Sequence, residues 1–157
     1  MKPITLLFGL LMLSGCASAG TVWTTETPPM TEDEEETDIP RNADARGVTG
    51  TWRGSYICAQ GLTSLRLDLR GGEDGRVEGT FSFSAHPDNP GVPRGSYRVY
   101  GRLTSGLVLR LEGGEWIDQP EGYFPVPLVG RMELERVRYY GFVDFLGCET
   151  FSVTLRQ

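Results

Sequence analysis

The chain has 157 residues, 39% of them hydrophobic, and a formal net charge of −6, which suits one domain with a tail. Residues 47–157 hold thirteen acidic side chains and twelve arginines, whereas residues 21–46 hold eight acids and two arginines. Neither part has the excess of basic residues that attracts nucleic acid, so the composition argues against a nucleic-acid partner.

The first sixteen residues have the organisation of a secretory signal. Lys2 supplies a charged start, and residues 4–13 form an apolar run that is too short to span a bilayer. The stretch Leu13-Ser14-Gly15-Cys16 follows this run and resembles the lipobox of bacterial lipoproteins, which are cleaved just before a lipid-bearing cysteine. An ordinary cleaved signal with a cysteine nearby is the alternative interpretation.

This resemblance implies that residues 1–15 are a signal peptide and that Cys16 carries lipid, palmitate included. Several acyl chains on one residue hold a protein durably on a membrane, whereas a single chain does so only marginally. Ala17 stands where the enteric lipoproteins of the inner membrane have aspartate. The resemblance therefore implies the outer membrane, with the domain facing the periplasm or the cell surface. Lys2 is the only lysine, so the processed chain cannot form a lysine Schiff base.

Residues 16–46 are predicted to form a disordered acidic linker. They are rich in Thr, Pro, Glu and Asp and show no apolar period, so burial cannot offset the entropy of ordering them. The acidic run Glu32–Glu36 is typical of a solvated spacer, and binding of a basic partner or calcium is the alternative. The folded domain is predicted to cover residues 47–157.

From residue 48 onward, apolar and polar side chains alternate with a period of two. Leu65, Leu67 and Leu69, for example, are separated by charged residues, a pattern typical of antiparallel strands with one buried face. Eight strands are predicted, near residues 49–58, 62–70, 76–84, 95–103, 107–112, 125–132, 138–145 and 150–156. Glycines inside five of these strands favour the bends of a closed barrel. The predicted fold is all-β, an eight-stranded antiparallel up-and-down barrel, with a β-sandwich as the alternative.

Strand parity brings two cysteines to the same end of such a barrel. The connections after the first, third, fifth and seventh strands share one rim, and Cys58 and Cys148 both lie there. An oxidising compartment favours a disulfide between them, whereas two thiols and one histidine are poor material for a zinc site. The long loops 85–94 and 113–124 belong to this rim, and the linker enters at the opposite one.

The stretch Val48-Thr49-Gly50-Thr51-Trp52 resembles the opening of the avidin family, and its Gly-x-Trp core is similar to that of lipocalins. Both families are eight-stranded barrels, so the resemblance implies this architecture. It extends to residues 74–81 and 147–151, but where avidins place polar biotin ligands this chain has Gly54, Cys58 and Phe81. A site that depends on hydrogen bonds loses orders of magnitude in affinity without them, so we expect no biotin.

A weaker resemblance connects Tyr56-x-Cys58-x-x-Gly61 with bacterial lipoprotein inhibitors of animal-type lysozyme, which are also small barrels. Their inhibitory motifs contain Ser-Gly and Lys-Gly, whereas this chain has Arg94-Gly95-Ser96-Tyr97 and no lysine in the domain. A lysozyme-inhibitor-like function is therefore an alternative without any inhibitory residue carried over.

Few residues suggest catalysis. His86 is the only histidine, and its loop lacks the context of a catalytic triad. The carboxylate pairs Glu115 with Asp118 and Glu133 with Glu135 would suit glycoside hydrolysis only at the right separation, and they are better explained as solubilising charges. We expect no catalytic residue, no metal and no cofactor, and a hydrolase is the alternative.

Loop 113–124 is the strongest candidate for a binding site. It contains Trp116, Ile117, Tyr123 and Phe124, which are unfavourable in water unless something covers them. Either Trp116 folds back over the barrel mouth, or these side chains bind a partner, since Trp and Tyr are enriched in interface hot spots.

The predicted function is a lipid-anchored binding or assembly module that meets an envelope protein or glycan through loops 85–94 and 113–124. The alternative is a carrier of a small apolar ligand in the barrel interior. An interior void on the order of a few hundred Å³ would favour the carrier, because ligand sites have volumes of this order.

Overall fold

The computed structural model describes residues 43–156, and these form a ring of eight antiparallel strands. The strands are β1 (Gly50–Cys58), β2 (Gly61–Gly71), β3 (Arg76–Ala85), β4 (Gly95–Leu103), β5 (Val108–Asp118), β6 (Leu128–Glu133), β7 (Arg138–Val143) and β8 (Thr150–Arg156). A 3₁₀ turn, Arg46–Val48, precedes them. None of the helical segments within residues 43–156 has the length and apolar character to cross a bilayer.

The predicted up-and-down barrel is confirmed. Each strand pairs with the next, and β8 pairs with β1 from Thr51 opposite Arg156 to Tyr56 opposite Phe151. This pairing closes the sheet, so the open β-sandwich is excluded. Because consecutive strands are antiparallel, the connections alternate between the two ends of the barrel.

The interior is filled by the side chains that the period of two places inside. Trp52 and Tyr139 are fully buried, and each donates a hydrogen bond to a backbone carbonyl, from Trp52 Nε1 to Val48 at 2.8 Å and from the Tyr139 hydroxyl to Leu109 at 3.0 Å. Buried polar groups need such partners. Eight further large residues that alternation places on the inner face are also buried: Leu65, Leu67, Phe81, Phe83, Tyr97, Leu109, Leu128 and Phe151.

The predicted end of the fifth strand is wrong. The sequence pattern suggests a strand over 107–112 and a loop over 113–124, but β5 continues to Asp118. Its second half remains paired with β4 through two register shifts, with Tyr97 opposite Trp116 and Ser96 opposite Asp118. Bulges of this kind absorb extra residues without ending a strand.

Gly113-Gly114, which suggests a turn in the sequence, lies inside β5 and allows two close approaches. A Cβ at Gly113 would collide with Pro125, and one at Gly114 would lie 2.5 Å from the Tyr100 ring. The neighbouring elements also differ from the prediction, because β6 begins only at Leu128 and β7 ends at Val143. The connections that follow β5 and β7 are therefore 119–127 and 144–149.

The chain joins the barrel at the end that we call the N-terminal rim. The backbone amides of Ala43 and Ala45 donate to the carbonyl oxygens of Leu103 and Gly72 at 3.0 and 2.9 Å, and Ala45 is fully buried. Packed structure thus begins before the predicted boundary at residue 47. The predicted signal peptide, the predicted lipidation site Cys16 and most of the predicted linker lie outside the described residues.

Candidate functional site

The opposite end of the barrel, which we call the disulfide rim, combines four connections: 59–60, 86–94, 119–127 and 144–149. Cys58 ends β1, Cys148 precedes β8, and the two form a disulfide bond between positions 90 residues apart. The structure thus brings together the two cysteines that strand parity places on the same rim.

Connection 119–127 folds over the mouth of the barrel. The Tyr97 hydroxyl, on β4, donates to the carbonyl of Val126 and accepts from its amide, both at 3.1 Å. Tyr123 stacks on Phe83, with the ring centroids 5.3 Å apart. Burial raises the pKa of Tyr97 far above its ordinary value, so the hydroxyl keeps the proton that it donates to Val126 at alkaline pH as well as at neutral pH.

Trp116 extends this aromatic cluster from the barrel wall. Its ring lies edge-on to Tyr97 and Phe83, with centroid distances of 5.1 and 6.3 Å. Aromatic pairs with this geometry contribute stability beyond the area they bury. Of the two interpretations of Trp116, its packing at the barrel mouth is therefore the one that the structure supports.

The β1–β2 turn forms the other side of the mouth and is tied to connection 86–94. The side-chain amide of Asn89 donates to the carbonyl oxygens of Gln60 and Leu62 at 2.7 and 3.1 Å. Gln60 Nε2 donates in turn to the Tyr56 hydroxyl at 3.0 Å. The loop predicted at 85–94 therefore braces the mouth, and its largest aliphatic side chain, Val92, is buried.

Between these connections lies an open pocket of about 300 Å³, which we call the rim pocket. The disulfide forms part of its lining, and none of the lining side chains is charged. Below the pocket the barrel is filled by side chains, so the pocket is confined to the mouth. Its six aromatic lining residues are Tyr56, Phe83, Tyr97, Tyr123, Phe124 and Phe145.

Three side chains of the rim pocket also face solvent. Leu146 is 96% exposed, Phe124 is 68% exposed and Phe145 is 47% exposed. Isolated exposed apolar residues are ordinary, whereas an exposed group that surrounds a concave site marks an interaction surface. We call these three residues together with the rim pocket the apolar rim.

The four predicted partner-binding residues do not form one site. Tyr123 and Phe124 line the rim pocket, but Trp116 is packed into the wall and Ile117, although 55% exposed, does not line the pocket. Sequence reasoning missed Phe145 and Leu146, because the predicted seventh strand extends to residue 145. The sequence does contain a signal for this surface, because two large apolar residues, Phe145 and Leu146, stand directly before Gly147 in a turn.

A larger concave surface, of about 750 Å³, lies on the outer wall of the barrel. Four arginines and two glutamates line it together with Val77, Tyr100, Thr104 and three glycines. Arg110 contacts both Glu112 and Asp144, and Arg76 contacts Asp74 at 3.2 Å. Charges of both signs that pair in solvent are typical of an ordinary solvated face. The apolar rim is therefore the stronger candidate despite its smaller volume.

The residues considered for catalysis make local contacts. Nδ1 of His86 accepts a hydrogen bond from the Asp88 amide at 3.2 Å. One member of each carboxylate pair accepts from a tyrosine hydroxyl, Glu115 from Tyr100 at 3.0 Å and Glu133 from Tyr140 at 3.1 Å. Among residues 43–156, no three His, Cys, Asp or Glu side chains are grouped as a metal site.

The stretch compared above with lysozyme inhibitors, Arg94-Gly95-Ser96-Tyr97, leads directly into β4 and does not project as a loop. Gly95 and Tyr97 are buried, and a Cβ at Gly95 would lie within 2.8 Å of Phe83 and Pro120. The stretch therefore offers no projecting loop that could enter a partner's cleft, and it contributes to the disulfide rim through Tyr97, which lies at the barrel mouth.

Fold and site together define a closed eight-stranded barrel with an aromatic pocket at its disulfide-bonded end. Comparison of the chain with protein-family models, with curated proteins and with solved structures gave no match. The likeness to avidins and lipocalins therefore remains a resemblance of short motifs and of strand number. The function is argued from the chemistry of the apolar rim.

Proposed function

We propose that this protein is a lipid-anchored binding module of the bacterial cell envelope and that its apolar rim docks onto a partner protein. The observation that carries the proposal is the exposure of Phe124, Phe145 and Leu146 around an open aromatic pocket. Covering a large apolar side chain stabilises a complex by roughly 1.5–3 kcal/mol. Three such side chains around one concavity provide the centre of an interface.

A protein partner suits this surface better than a glycan. A sugar presents many hydroxyl groups, and burying each one is unfavourable unless the protein forms a hydrogen bond with it. Two of the tyrosine hydroxyls in the rim pocket already have partners, that of Tyr56 with Gln60 and that of Tyr97 with Val126. Aromatic residues without charges are typical of the buried centre of protein interfaces.

The chain enters the barrel at the end opposite the apolar rim, and this supports the proposal that the apolar rim faces a partner. Ala43 and Ala45 join the barrel at the N-terminal rim, and the apolar rim lies at the other end. In this proposal the signal peptide 1–15 is removed, Cys16 carries the lipid at the outer membrane, and residues up to 42 connect the lipid to the N-terminal rim. A partner in the periplasm or at the cell surface then meets the free end of the barrel.

A second candidate function is carriage of a small apolar ligand, and the volume of the rim pocket favours it. About 300 Å³ is at the lower end of the range for small-molecule sites. The pocket is confined to the mouth, however, and a carrier gains nothing from the exposed side chain of Leu146. The exposed residues therefore favour a protein partner.

Photo-crosslinking of the full-length protein in its own cell envelope tests the proposal. A photoreactive residue replaces Glu121, which is exposed in connection 119–127, and in a separate variant Glu135, which is exposed at the N-terminal rim. We expect a discrete protein adduct from position 121 and none of the same size from position 135. The triple substitution Phe124→Ser, Phe145→Ser, Leu146→Ser should abolish the adduct, because it removes the apolar area that the partner covers.

A triple substitution elsewhere on the barrel is the matched control. Val108, Leu134 and Phe142 are 41%, 38% and 51% exposed, and their replacement by serine should leave the adduct intact. No adduct from position 121, or an adduct that survives the substitutions at the apolar rim, contradicts the proposal.

A further inference from the structure

We infer that the rim pocket receives one aromatic side chain of the partner protein, inserted between Tyr56 and Phe145 as the anchor of the interface. The inference rests on the proposed function and names what fills the pocket. It follows from the size of the pocket, from the chemistry of its lining and from the way in which its walls are held.

The size suits a single ring. An apolar cavity of about 150 Å³ holds benzene, so a pocket of about 300 Å³ has room for an indole or phenol ring with its linking carbon. A drug-sized ligand needs a larger site, with volumes up to about 1,000 Å³. The exposed tips of Phe124 and Leu146 can then cover the backbone on either side of the inserted residue.

The lining favours an uncharged aromatic group. Six aromatic side chains surround the pocket, and rings gain from edge-to-face and stacked contacts with one another. The rings already present use both geometries, stacked for Phe83 with Tyr123 and edge-on for Phe83 with Trp116. A charged side chain would lose its hydration without an opposite charge in the lining, which penalises lysine, arginine and carboxylates.

The walls are tied together by bonds that need no ligand. The disulfide joins the end of β1 to connection 144–149, Asn89 ties the β1–β2 turn at 2.7 Å through the Gln60 carbonyl, and Tyr97 ties connection 119–127 through Val126 at 3.1 Å. Because the walls are already held in place, few side chains or loops need to be ordered on binding, and the entropic cost of binding is smaller. This is the usual property of an anchor pocket.

Soluble amino-acid analogues test the inference on the purified, disulfide-bonded protein. N-acetyl-tryptophanamide, N-acetyl-leucinamide and N-acetyl-argininamide are titrated, and the backbone amide signals of Gln60, Gly122 and Gly147 are followed by NMR. We expect a dissociation constant on the order of 1 mM for the tryptophan analogue, and binding at least about tenfold weaker for the arginine analogue.

A substitution at the pocket mouth separates specific from general binding. Ala59 lies in the exposed β1–β2 turn and lines the pocket, so Ala59→Phe should fill the mouth without disturbing the core, while Ala59→Ser is the matched control. We expect Ala59→Phe to abolish both analogue binding and the adduct from position 121, and Ala59→Ser to preserve both.

Three outcomes overturn the inference. The first is equal binding of the arginine and tryptophan analogues, the second is an adduct that Ala59→Phe leaves intact, and the third is a lipophilic compound that co-purifies with the wild type and not with Ala59→Phe. In each case, loss of the adduct in the triple variant of the apolar rim would leave the proposed docking function standing. Survival of the adduct in that variant would remove the docking function itself, whatever the analogues show.

Discussion

Single glycines allow the strands of this small barrel to approach one another where they bend. A Cβ at Gly54 would collide with the carbonyl oxygen of Ser152 on β8, and one at Gly101 would collide with the carbonyl oxygen of Arg110 on β5. Gly79, Gly130 and Gly141 meet neighbouring strands in the same way. The same physical reason therefore explains these five glycines inside strands: a side chain at any of these positions would collide with the backbone of the neighbouring strand.

Gly101→Ala should lower the free energy of unfolding by about 1–3 kcal/mol or more, because the new methyl group must push β4 away from β5. Gly91→Ala is the matched control, since nothing lies within 4 Å of a Cβ at Gly91 in connection 86–94. Denaturant unfolding followed by tryptophan fluorescence measures both. Equal stabilities of the two variants would show that the sheet can relax at Gly101.

At the scale of elements, the strand pattern could be predicted and the lengths of the strands could not. Alternation in Leu65, Leu67 and Leu69 is a local property, and it correctly separates the buried from the exposed face of β2. The end of β5 depends instead on a distant partner, because β4 continues to pair with Trp116 and Asp118 through two bulges. No local signal distinguishes a glycine pair at a turn from one that allows such contacts.

The seam between β1 and β8 is the element that the disulfide protects. Replacing both cysteines, Cys58→Ser with Cys148→Ser, should lower the free energy of unfolding by about 2–5 kcal/mol, because the unfolded chain regains the freedom of a loop closed across 90 residues. Chemical denaturation measures the change. Reducing agent should destabilise the wild type to a similar extent and leave the double variant unaffected, and a wild type indifferent to reduction would contradict this account.

At the scale of the whole molecule, the interior is a continuous core that contains three buried tyrosines. Burial raises the pKa of Tyr56, Tyr97 and Tyr139 far above the ordinary value. The Tyr97 hydroxyl donates a hydrogen bond to the carbonyl of Val126 at the mouth, and the Tyr139 hydroxyl donates one to the carbonyl of Leu109 deeper in the barrel. The barrel therefore depends on tyrosines that remain neutral.

The stability of the barrel should consequently fall at alkaline pH. Above a pH of about 10 the unfolded chain releases the tyrosine protons that the folded chain retains, so each buried tyrosine contributes a loss of up to about 1.4 kcal/mol per pH unit. Below that pH the contribution of all three is constant. Denaturant unfolding between pH 8 and 11 measures the slope, which should become shallower in Tyr139→Phe; a flat profile in the wild type would contradict the expected burial.

The number of strands, their antiparallel order and the pairing of Cys58 with Cys148 could be predicted from the residues alone, because alternation and parity are properties of the chain read in order. The filling of the interior was decided only by the structure, since the sequence allows both a packed core and an interior ligand site. The lipid at Cys16 remains a prediction from the lipobox motif. The rim pocket and the exposure of Phe145 and Leu146 arise only when four connections, far apart in the chain, fold over one end of the barrel. Loop conformations depend on such distant contacts, as between Tyr97 and Val126, and so the surface we propose for binding became visible only in three dimensions.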